Sequence, residues 1–372
     1  MASQVPEQPR LRRSAPTSGT RRRRSRVLAG GAVLAAAIVM GAAPAAAIVP
    51  GDNGQIAFES SRDGNAEIYV MNPDGTIERN LTNDPASDVF PAWSPDGSQI
   101  TFSSDRAEPG NSDVYKMNAD GSDVTRLTNS PGEDRGTSWT SDGEKIVFHS
   151  ARDRTPTHAF DVFIMNADGT NQEKLFTNGS AAYVCGNSTT GTIVFNSRAD
   201  PLETNPEGDF EIFTMDIDGS NVRQVTDNTV LDSGPKWSPD CSWISYNSLD
   251  AGGSLDVFRI DAQGGVPTNL TNAPGVFDAF SAWSPDGERI AFSSNRDEDF
   301  EIYTMDATDG GDVSRLTFTG GADLRADWGI APAYDGPPTA KEQCKQGRWE
   351  EFGTPEFSNQ GQCVSYVQTA PE

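Results

Sequence analysis

A tryptophan motif that returns at a regular interval is the feature that most constrains the fold. The motif Trp-Ser-Pro-Asp-Gly begins at Trp93, and variants of it begin at Trp139, Trp237, Trp283 and, cut short, at Trp328. The gaps between these tryptophans are 46, 98, 46 and 45 residues. The gap of 98 is a double period, and the missing tryptophan position falls at Gly186. A period of this length is typical of an array of repeated supersecondary units.

Each unit contains the pattern of a small antiparallel sheet. A short apolar strand such as Ile100-Thr101-Phe102 is followed by a loop, a second apolar strand such as Asp113-Val114-Tyr115, and an Asp-Gly turn. β-Branched and aromatic residues favour strands, and Asp-Gly favours tight hairpins. One sheet of this size cannot bury both of its faces, whereas radial packing of several sheets does so. The sequence therefore predicts an all-β fold, a six-bladed β-propeller with four-stranded antiparallel blades.

The repeat also resembles a known family. Residues 55–97 and 288–306 follow the pattern I-A-F-x-S-x-R-D-G-x-x-E-I-Y-x-M-N-x-D-G, with L-T and P-x-W-S-P-D-G after it in the first case. This pattern is similar to the TolB-like propeller repeat, a relative of Trp-Asp repeats. The resemblance covers about residues 54–330 and is weakest at 155–158, 181–191 and 201–208. It implies blades around a central channel and a protein-interaction role in the cell envelope.

The order of the strands predicts how the ring closes. In the TolB-like family the tryptophan strand is the innermost strand of each blade. This chain starts with a second strand, residues 55–60, and finishes with a tryptophan strand, residues 323–328. We therefore expect the C-terminal inner strand to complete the N-terminal blade, which leaves no inner strand unpaired. Inner strands are predicted near Trp93, Trp139, Val184, Trp237, Trp283 and Trp328.

The first 47 residues read as an export signal. Eight arginines precede an apolar run from Val27 to Met40, and small residues follow up to Ala47. This is the pattern of a secretory signal peptide, with cleavage after Ala47 or Ala45, although an uncleaved membrane anchor is the alternative. Arg23-Arg24 leaves both the general secretory and the twin-arginine routes open. We predict a secreted or cell-envelope protein without a membrane span after cleavage.

The acidity of the chain excludes one class of partner. The chain has 54 acidic and 29 basic residues and a net charge of −25. Residues 1–47 hold eight arginines and one glutamate, so without them 53 acidic and 21 basic residues remain. Such a surface repels nucleic acid. The expected partner of this domain, residues 48–330, is a protein or a saccharide, and the expected oligomeric state is a monomer.

The four cysteines fall into two pairs. Residues 331–340 read as a linker, and residues 341–372 resemble a short cysteine-paired tail of secreted actinobacterial proteins, which implies a bond between Cys344 and Cys363. Cys185 and Cys241 depart from the repeat in neighbouring units, so either a disulfide bond joins them or they are two buried thiols. A turn position for Cys241 and a mid-strand position for Cys185 count against the bond, since the Cα atoms must lie within about 7 Å.

The repeats place acids and arginines at equivalent positions. An aspartate lies five residues before each of the five motif tryptophans, with Ala181 the exception at the missing tryptophan, and an arginine follows most first strands. One hypothesis puts these aspartates at the channel mouth as ligands for a cation or a basic partner. The alternative is that acids and arginines pair to hold the blades together. The aspartates are Asp88, Asp134, Asp232, Asp278 and Asp323, and the arginines are Arg62, Arg106, Arg152, Arg198 and Arg296, with Leu249 breaking the series.

The sequence offers little recognisable chemistry. His149 and His158 are weak candidates for metal ligands, no helix-loop-helix calcium motif occurs, and no cofactor is expected, although a calcium ion on acidic loops stays open. No G-x-S-x-G nucleophile motif occurs. We therefore favour a binding or scaffold module that uses its blade-connecting loops. The alternative is a lyase or hydrolase using channel-mouth carboxylates, with or without a metal, and clustered, non-repeating His, Tyr or Arg in the channel would favour it.

Overall fold

The regular structure consists of strands alone in the part of the chain that is described. The computed structural model describes residues 53–156, 159–199, 202, 205, 208–249 and 252–331. Its 24 strands form six antiparallel sheets of four strands each. The predicted six-bladed propeller is therefore confirmed.

The blades are numbered from the N-terminus, and each is given from its channel strand outward. Blade 1 is β24 (Asp323–Ile330), β1 (Asn53–Ser60), β2 (Glu67–Met71) and β3 (Arg79–Asn80). Blade 2 is β4 (Asp88–Trp93), β5 (Gln99–Ser104), β6 (Asp113–Asn118) and β7 (Thr125–Arg126). Blade 3 is β8 (Asp134–Trp139), β9 (Lys145–Ser150), β10 (Asp161–Asn166) and β11 (Glu173–Phe176). Blade 4 is β12 (Gly179–Cys185), β13 (Thr192–Ser197), β14 (Glu211–Asp216) and β15 (Arg223–Gln224). Blade 5 is β16 (Asp232–Trp237), β17 (Trp243–Leu249), β18 (Leu255–Asp261) and β19 (Thr268–Asn269). Blade 6 is β20 (Asp278–Trp283), β21 (Arg289–Asp297), β22 (Asp299–Asp306) and β23 (Ser314–Arg315).

The two ends of the described chain meet in blade 1. β24 pairs antiparallel with β1, so that Trp328 lies opposite Ile56 and Asp323 lies opposite Ser60. The indole Nε1 of Trp328 also donates to the carbonyl of Gly54 at 3.2 Å. The predicted closure of the ring by the C-terminal inner strand is confirmed.

The Trp-Ser-Pro-Asp-Gly motif forms the turn between the first two strands of a blade. In blade 2 the hydroxyl of Ser94 donates to Asp96 at 2.6 Å and accepts the amide of Gln99 at 2.9 Å. Gly97, whose φ is 69°, donates its amide to the carbonyl of Ser94. A positive φ at this position is why the motif ends in glycine. We call the side of the ring that holds these turns the turn face, and the opposite side the mouth face.

The hydrophobic core lies between adjacent blades rather than inside any one of them. Each blade contributes an aromatic pair from its second and third strands, such as Phe102 and Tyr115 in blade 2, and both rings are buried in every blade except blade 5. The inner-strand tryptophan packs onto the preceding blade, as when Trp139 Nε1 donates to Thr101 at 3.1 Å. Because every sheet is covered on both faces by its neighbours, the closed ring satisfies the burial that one blade lacks.

A disulfide bond joins Cys185 of blade 4 to Cys241 of blade 5, with their Cα atoms 5.9 Å apart. The placement of Cys185 at mid-strand was wrong. Val184 lies opposite Ile193, as Trp93 lies opposite Ile100, so Cys185 is the last residue of β12 and stands at the turn face. Both cysteines therefore lie at the same end of their blades, and the bond links them where the tryptophan of blade 4 is missing.

Several predictions fall outside the described residues and stay predictions. They concern the signal peptide of residues 1–47, the linker beyond residue 331, His158, and the bond between Cys344 and Cys363. Within the described ranges, no helix is long and apolar enough to cross a membrane.

Candidate binding site at the channel mouth

Every inner strand bulges at the same place, two residues after its first residue. The pairing register shifts there in all six blades, and the bulge residue has a positive φ between 47° and 61°. Bulges re-aim side chains and are frequent next to functional sites. Four of the six residues are not glycine, although a left-handed backbone is strained for other residues. The bulge residues are Phe90, Gly136, Ala181, Gly234, Phe280 and Arg325.

The bulges are held by the preceding blade. The amide of Phe280 donates to the side-chain oxygen of Asn247 at 3.0 Å, and the amide of Gly234 donates to that of Asn196 at 3.2 Å. The amide of Arg325 donates to the hydroxyl of Ser293 at 3.1 Å. The second strand of one blade therefore fixes the inner strand of the next, which offsets the backbone strain with hydrogen bonds to buried groups.

Arg325 lies between two aromatic rings at the mouth face. Its guanidinium carbon is 4.4 Å from the ring centre of Phe90 and 4.6 Å from that of Phe280. The guanidinium also forms an ion pair with Glu59, which is buried. Burial raises the pKa of Glu59 although Arg325 acts in the opposite direction. Stacking on two rings fixes the guanidinium in one orientation.

The stack continues into blade 3. Arg135 lies 4.5 Å from the ring centre of Phe160 and 5.7 Å from that of Phe90. The imidazole of His149 meets the same two phenylalanines edge-on, at 5.0 and 6.2 Å. We call the resulting series the aromatic–arginine arc, and its members in order are Phe280, Arg325, Phe90, Arg135 and Phe160.

Further down the channel, a lysine of one blade forms an ion pair with an aspartate of another blade. Lys236 of blade 5 forms an ion pair with Asp327 of blade 1 at 3.2 Å, and its ammonium lies 3.7 Å from the ring centre of Tyr183. Burial lowers the pKa of Lys236, but Tyr183 and Asp327 more than offset that effect, so the pKa lies above its usual value. Lys236 is therefore an ammonium group at neutral pH.

These residues separate two cavities in the channel. The cavity at the mouth face measures about 300 Å³, and its lining includes Phe90, Phe280 and Arg325. The cavity at the turn face measures about 160 Å³ and is lined by the five inner-strand tryptophans, among other residues. Tyr183 and Lys236 line both cavities. The mouth cavity thus has apolar aromatic walls with a few fixed polar groups, the usual character of a ligand site.

The aspartates that begin the inner strands are buried, and none of them lines the mouth cavity. Four of these five aspartates form an ion pair with an arginine of their own blade. Asp232 is held instead by Asn228 at 2.7 Å. This arrangement matches the architectural alternative, and a ligand-binding role of these carboxylates stays a prediction. The pairs are Asp88 with Arg106, Asp134 with Arg152, Asp278 with Arg296, and Asp323 with Arg62, at 2.8–3.0 Å.

The assignment of Arg198 and Leu249 to the arginine series was wrong by one residue. In blade 2 the arginine stands two residues after Ser104 and donates to its hydroxyl. Ser197 is the counterpart of Ser104 in blade 4, and its hydroxyl accepts the amide of Ala199, two residues on. Ala199 therefore takes the arginine position in blade 4. In blade 5 the same step of two residues from Ser248 leads in the sequence to Asp250, which lies outside the described residues. Arg198 stacks on Phe210 instead, at 4.3 Å.

His149 lies in the described structure, and His158 does not. Burial, and then the charge of Arg135, lower the pKa of His149 to about 3. The ring fills the space beside Gly136, where an added Cβ would lie 2.3 Å from it. Among the residues that are described, no group of three or more His, Cys, Asp or Glu side chains is arranged to hold a metal ion.

Sequence reasoning missed the residues that line the mouth cavity. Phe90, Phe280 and Arg325 occupy one repeat position, but they differ from blade to blade and so do not stand out as a repeat. Their position in the repeat could have identified them, because each lies three residues before an inner-strand tryptophan. Non-repeating residues at such a position are candidates for a specific function, because architecture alone would conserve the repeat.

Two families of propeller domains match parts of this chain. The family described as the TolB beta propeller domain matches residues 27–126. The family described as the Tricorn protease N-terminal beta propeller domain matches residues 78–205.

Curated relatives match only part of this chain. An uncharacterised protein of Agrobacterium fabrum is 32% identical over 115 residues, which are 29% of this chain and 38% of that protein. The Tol-Pal system protein TolB of Francisella tularensis is 34% identical over 101 residues, 26% of this chain and 22% of that protein. The matches therefore span well under half the length of these relatives.

Solved structures share the fold at low identity. TolB from Acinetobacter baumannii has a TM-score of 0.62 at 15% identity, covering 75% of this chain and 67% of that one. A putative TolB from Agrobacterium tumefaciens has a TM-score of 0.54 at 20% identity, covering 73% and 92%. A chain of the nidogen/laminin complex has a TM-score of 0.57 at 11% identity, covering 74% and 98%.

Proposed function

This chain is a propeller of the TolB-like family, and from that premise we propose that it is an exported binding module. Its partner is a protein of the cell envelope or of the cell exterior, and its binding surface is the mouth face. The relatives named as Tol-Pal system proteins belong to a named multi-component system, and a propeller of the same fold occurs in the nidogen/laminin complex. Both support a role in protein recognition.

The single observation that carries this proposal is the aromatic–arginine arc. Arginine and aromatic residues are enriched where protein interfaces bind most strongly. Here Arg325 is already oriented by Phe90 and Phe280 at 4.4 and 4.6 Å, so a partner would not have to order it. Pre-ordering of contact residues raises affinity because less conformational entropy is lost on binding.

The enzyme alternative receives less support from the same residues. Residues of the kinds that favour this alternative do cluster near the channel mouth without repeating from blade to blade, namely Tyr183, Arg135, Arg325 and His149. The candidates for acid–base chemistry beside Tyr183 are Lys236 and Asp327. A lyase or hydrolase needs a free base at working pH. The raised pKa keeps Lys236 protonated, and Asp327 is occupied by Lys236 and by the amide of Trp93 at 2.8 Å. These groups suit the binding of a polar ligand better than proton abstraction.

The proposal is tested by capture of the partner from the cell envelope of the producing organism. Immobilised mature protein is compared with the double variant Phe90→Gly/Phe280→Gly. Glycine at the bulge is compatible with the fold, because Gly136 and Gly234 occupy it in two other blades. We expect a protein retained by the parent chain to be lost, or weakened at least tenfold, by the double variant.

A matched control lies on the opposite face. Ile77 is 73% exposed with a φ of 57°, and its counterparts in other blades include Asn171 and Asn221. Ile77→Asn should leave capture unchanged. Capture that survives the double variant, or that is lost with Ile77→Asn, would contradict the proposed surface. Release of the retained material by glycosidase but not by protease would favour a saccharide partner instead.

A further inference from the structure

Four blades contain the same cation site, built from two aromatic rings and a buried aspartate. In blade 2, Arg106 lies 5.1 Å from the ring centres of both Phe102 and Tyr115 and donates to Asp88 at 2.8 Å. The same arrangement holds Arg62, Arg152 and Arg296 in blades 1, 3 and 6. We call this arrangement of rings and carboxylate the arginine slot.

Blade 4 has lost the slot as a whole. Ala199 replaces the arginine. Gly179 replaces the aspartate, so the assignment of Ala181 to that position was wrong by two residues. The ring of Phe176 lies 4.6 Å from that of Phe195, and a Cβ on Gly179 would lie 3.1 Å from both rings. The side chain of Phe176 therefore fills the space that the arginine and aspartate occupy in the other blades, and neither of those two charges is present in blade 4.

Blade 5 has lost only the cation. Asp232 is 0% exposed, and the rings of Tyr246 and Phe258 keep the usual 5.8 Å separation. Phe258 is only part buried, whereas Tyr69, Tyr115, Phe163 and Tyr303 are 3–6% exposed in the four filled slots. Phe258 is therefore more exposed than its counterparts in the four filled slots, which an arginine covers.

One further acid, Asp209, lies beside this slot. Glu211 is a repeated acid, and Asp113 and Glu301 hold its position beside the filled slots of blades 3 and 1. Burial, and the charges of Asp232 and Asp209, raise the pKa of Glu211 to about 7 although Thr226 and Asn228 donate to it. Neither side-chain oxygen of Asp209 has a hydrogen-bond partner, although both oxygens are buried. The unpartnered Oδ1 of Asp232 is not specific to this slot, because Asp88, Asp134 and Asp323 have the same unpartnered oxygen in filled slots. Buried carboxylate oxygens without a partner are costly.

No basic side chain of the described chain pairs with these three carboxylates. At two equivalent interfaces Arg126 pairs with Asp113 and Arg315 pairs with Glu301. The same position holds Gln224 in blade 4, and it holds Asn80 and Asn269 in blades 1 and 5. Arg198 stacks on Phe210 and forms no ion pair with any of the three. The sequences of 199–209 and 249–254 contain no lysine or arginine.

We propose that the slot of blade 5, formed by Asp209, Glu211, Asp232, Tyr246 and Phe258, binds a guanidinium group from outside the chain. As a deepening of the proposed function, that group is an arginine side chain of the protein partner. A planar guanidinium satisfies a carboxylate and stacks on aromatic rings at once, which a metal ion does not. Phe210 also lines the mouth cavity, so the slot borders the proposed binding surface.

The test uses N-acetylarginine amide as the probe, titrated into the mature protein at pH 8 by calorimetry. We expect saturable binding with one site per chain and a Kd on the order of millimolar. Asp250 follows Ser248 by two residues in the sequence, as Arg106 follows Ser104, so Asp250→Arg supplies an arginine at that repeat position. We expect it to weaken probe binding at least tenfold and to raise the melting temperature, because its own guanidinium fills the slot.

The control variant is Glu108→Arg, which makes the same charge change in an exposed loop of blade 2, where the slot is filled. It should bind the probe as the parent chain does. N-acetyllysine amide should bind several-fold more weakly, because an ammonium lacks the planar fork. If Asp250→Arg does not fold, Asp232→Asn replaces it and should also abolish binding.

Three results would overturn the inference. They are no binding of the arginine probe, unchanged binding by Asp250→Arg or Asp232→Asn, and displacement of the probe by calcium chloride at equal concentration, which would make the slot a metal site. Because the probe is a small molecule, these results are independent of the capture experiment with Phe90→Gly/Phe280→Gly. The slot and the binding surface can therefore fail separately.

Discussion

The bond between Cys185 and Cys241 should contribute measurably to stability, and the repeat provides an unusually clean way to remove it. Ser94 stands in blade 2 where Cys185 stands in blade 4, and Gly97 stands where Cys241 stands in blade 5. The variant Cys185→Ser/Cys241→Gly therefore introduces only residues that the repeat already accepts at those positions.

The expected effect follows from two opposing terms. The cysteines are 56 residues apart, and the loop-entropy relation gives about 4 kcal/mol for a cross-link that closes such a loop. Cys241 has a φ of 60°, and glycine at a left-handed position relieves about 1 kcal/mol. We therefore expect the variant to lose about 3 kcal/mol of unfolding free energy.

The assay is urea unfolding followed by tryptophan fluorescence, in a chain that ends at residue 335. This end point removes Cys344 and Cys363, so that only one disulfide bond is open to reduction. Dithiothreitol should destabilise the parent chain and leave the variant unchanged. A variant as stable as its parent, or one equally sensitive to dithiothreitol, would refute the reasoning.

Three further predictions concern charge and closure. Arg106→Ala leaves Asp88 buried without its cation and should cost about 3 kcal/mol of unfolding free energy in urea titration. Glu211→Gln should flatten the pH dependence of stability, because a folded-state pKa raised to about 7 makes the parent chain lose stability as the pH rises from about 4.5 to 7. Deletion of residues 320–372 should open the ring and abolish cooperative unfolding by calorimetry, whereas deletion of residues 336–372 should not.

The fold was predictable because its signals repeat. The tryptophan spacing fixed the number of blades, and the order of strands at the two ends fixed the closure between β24 and β1. Where one tryptophan was lost, the period still placed an inner strand at Val184. Because the other units keep the pattern, one unit that departs from it does not hide the repeat.

The binding site was not predictable by the same means. Pattern reasoning ranks repeated residues first, so it selected Asp88 and its counterparts, which turned out to be buried and mostly paired with arginine. Phe90 and Arg325 reach the channel only because a bulge turns the strand, and nothing in the sequence of a single strand announces a bulge at a non-glycine residue. The alternation of a regular strand gives no account of that reorientation.

Register errors explain the remaining mistakes. Leu249 was aligned with the arginine series, although Ser248 is the counterpart of Ser104 and the arginine position follows it by two residues in the sequence, at residue 250. Cys185 was placed at mid-strand because the missing tryptophan position was assigned to Gly186, whereas Val184 lies opposite Ile193 and takes that position. In both cases the backbone pairing, which sequence spacing determines only within one or two residues, decided the outcome.

The most direct test of the account is hydrogen–deuterium exchange of the mature protein, alone and with the protein that it captures. We predict slower exchange at the mouth face, in the loop of residues 81–87 and at the bulge amides of Phe90, Phe280 and Arg325. Exchange in the turns after Trp93 and Trp283 should not change. Protection confined to those turns, with no change at the mouth face, would contradict the proposal that the aromatic–arginine arc is the binding surface.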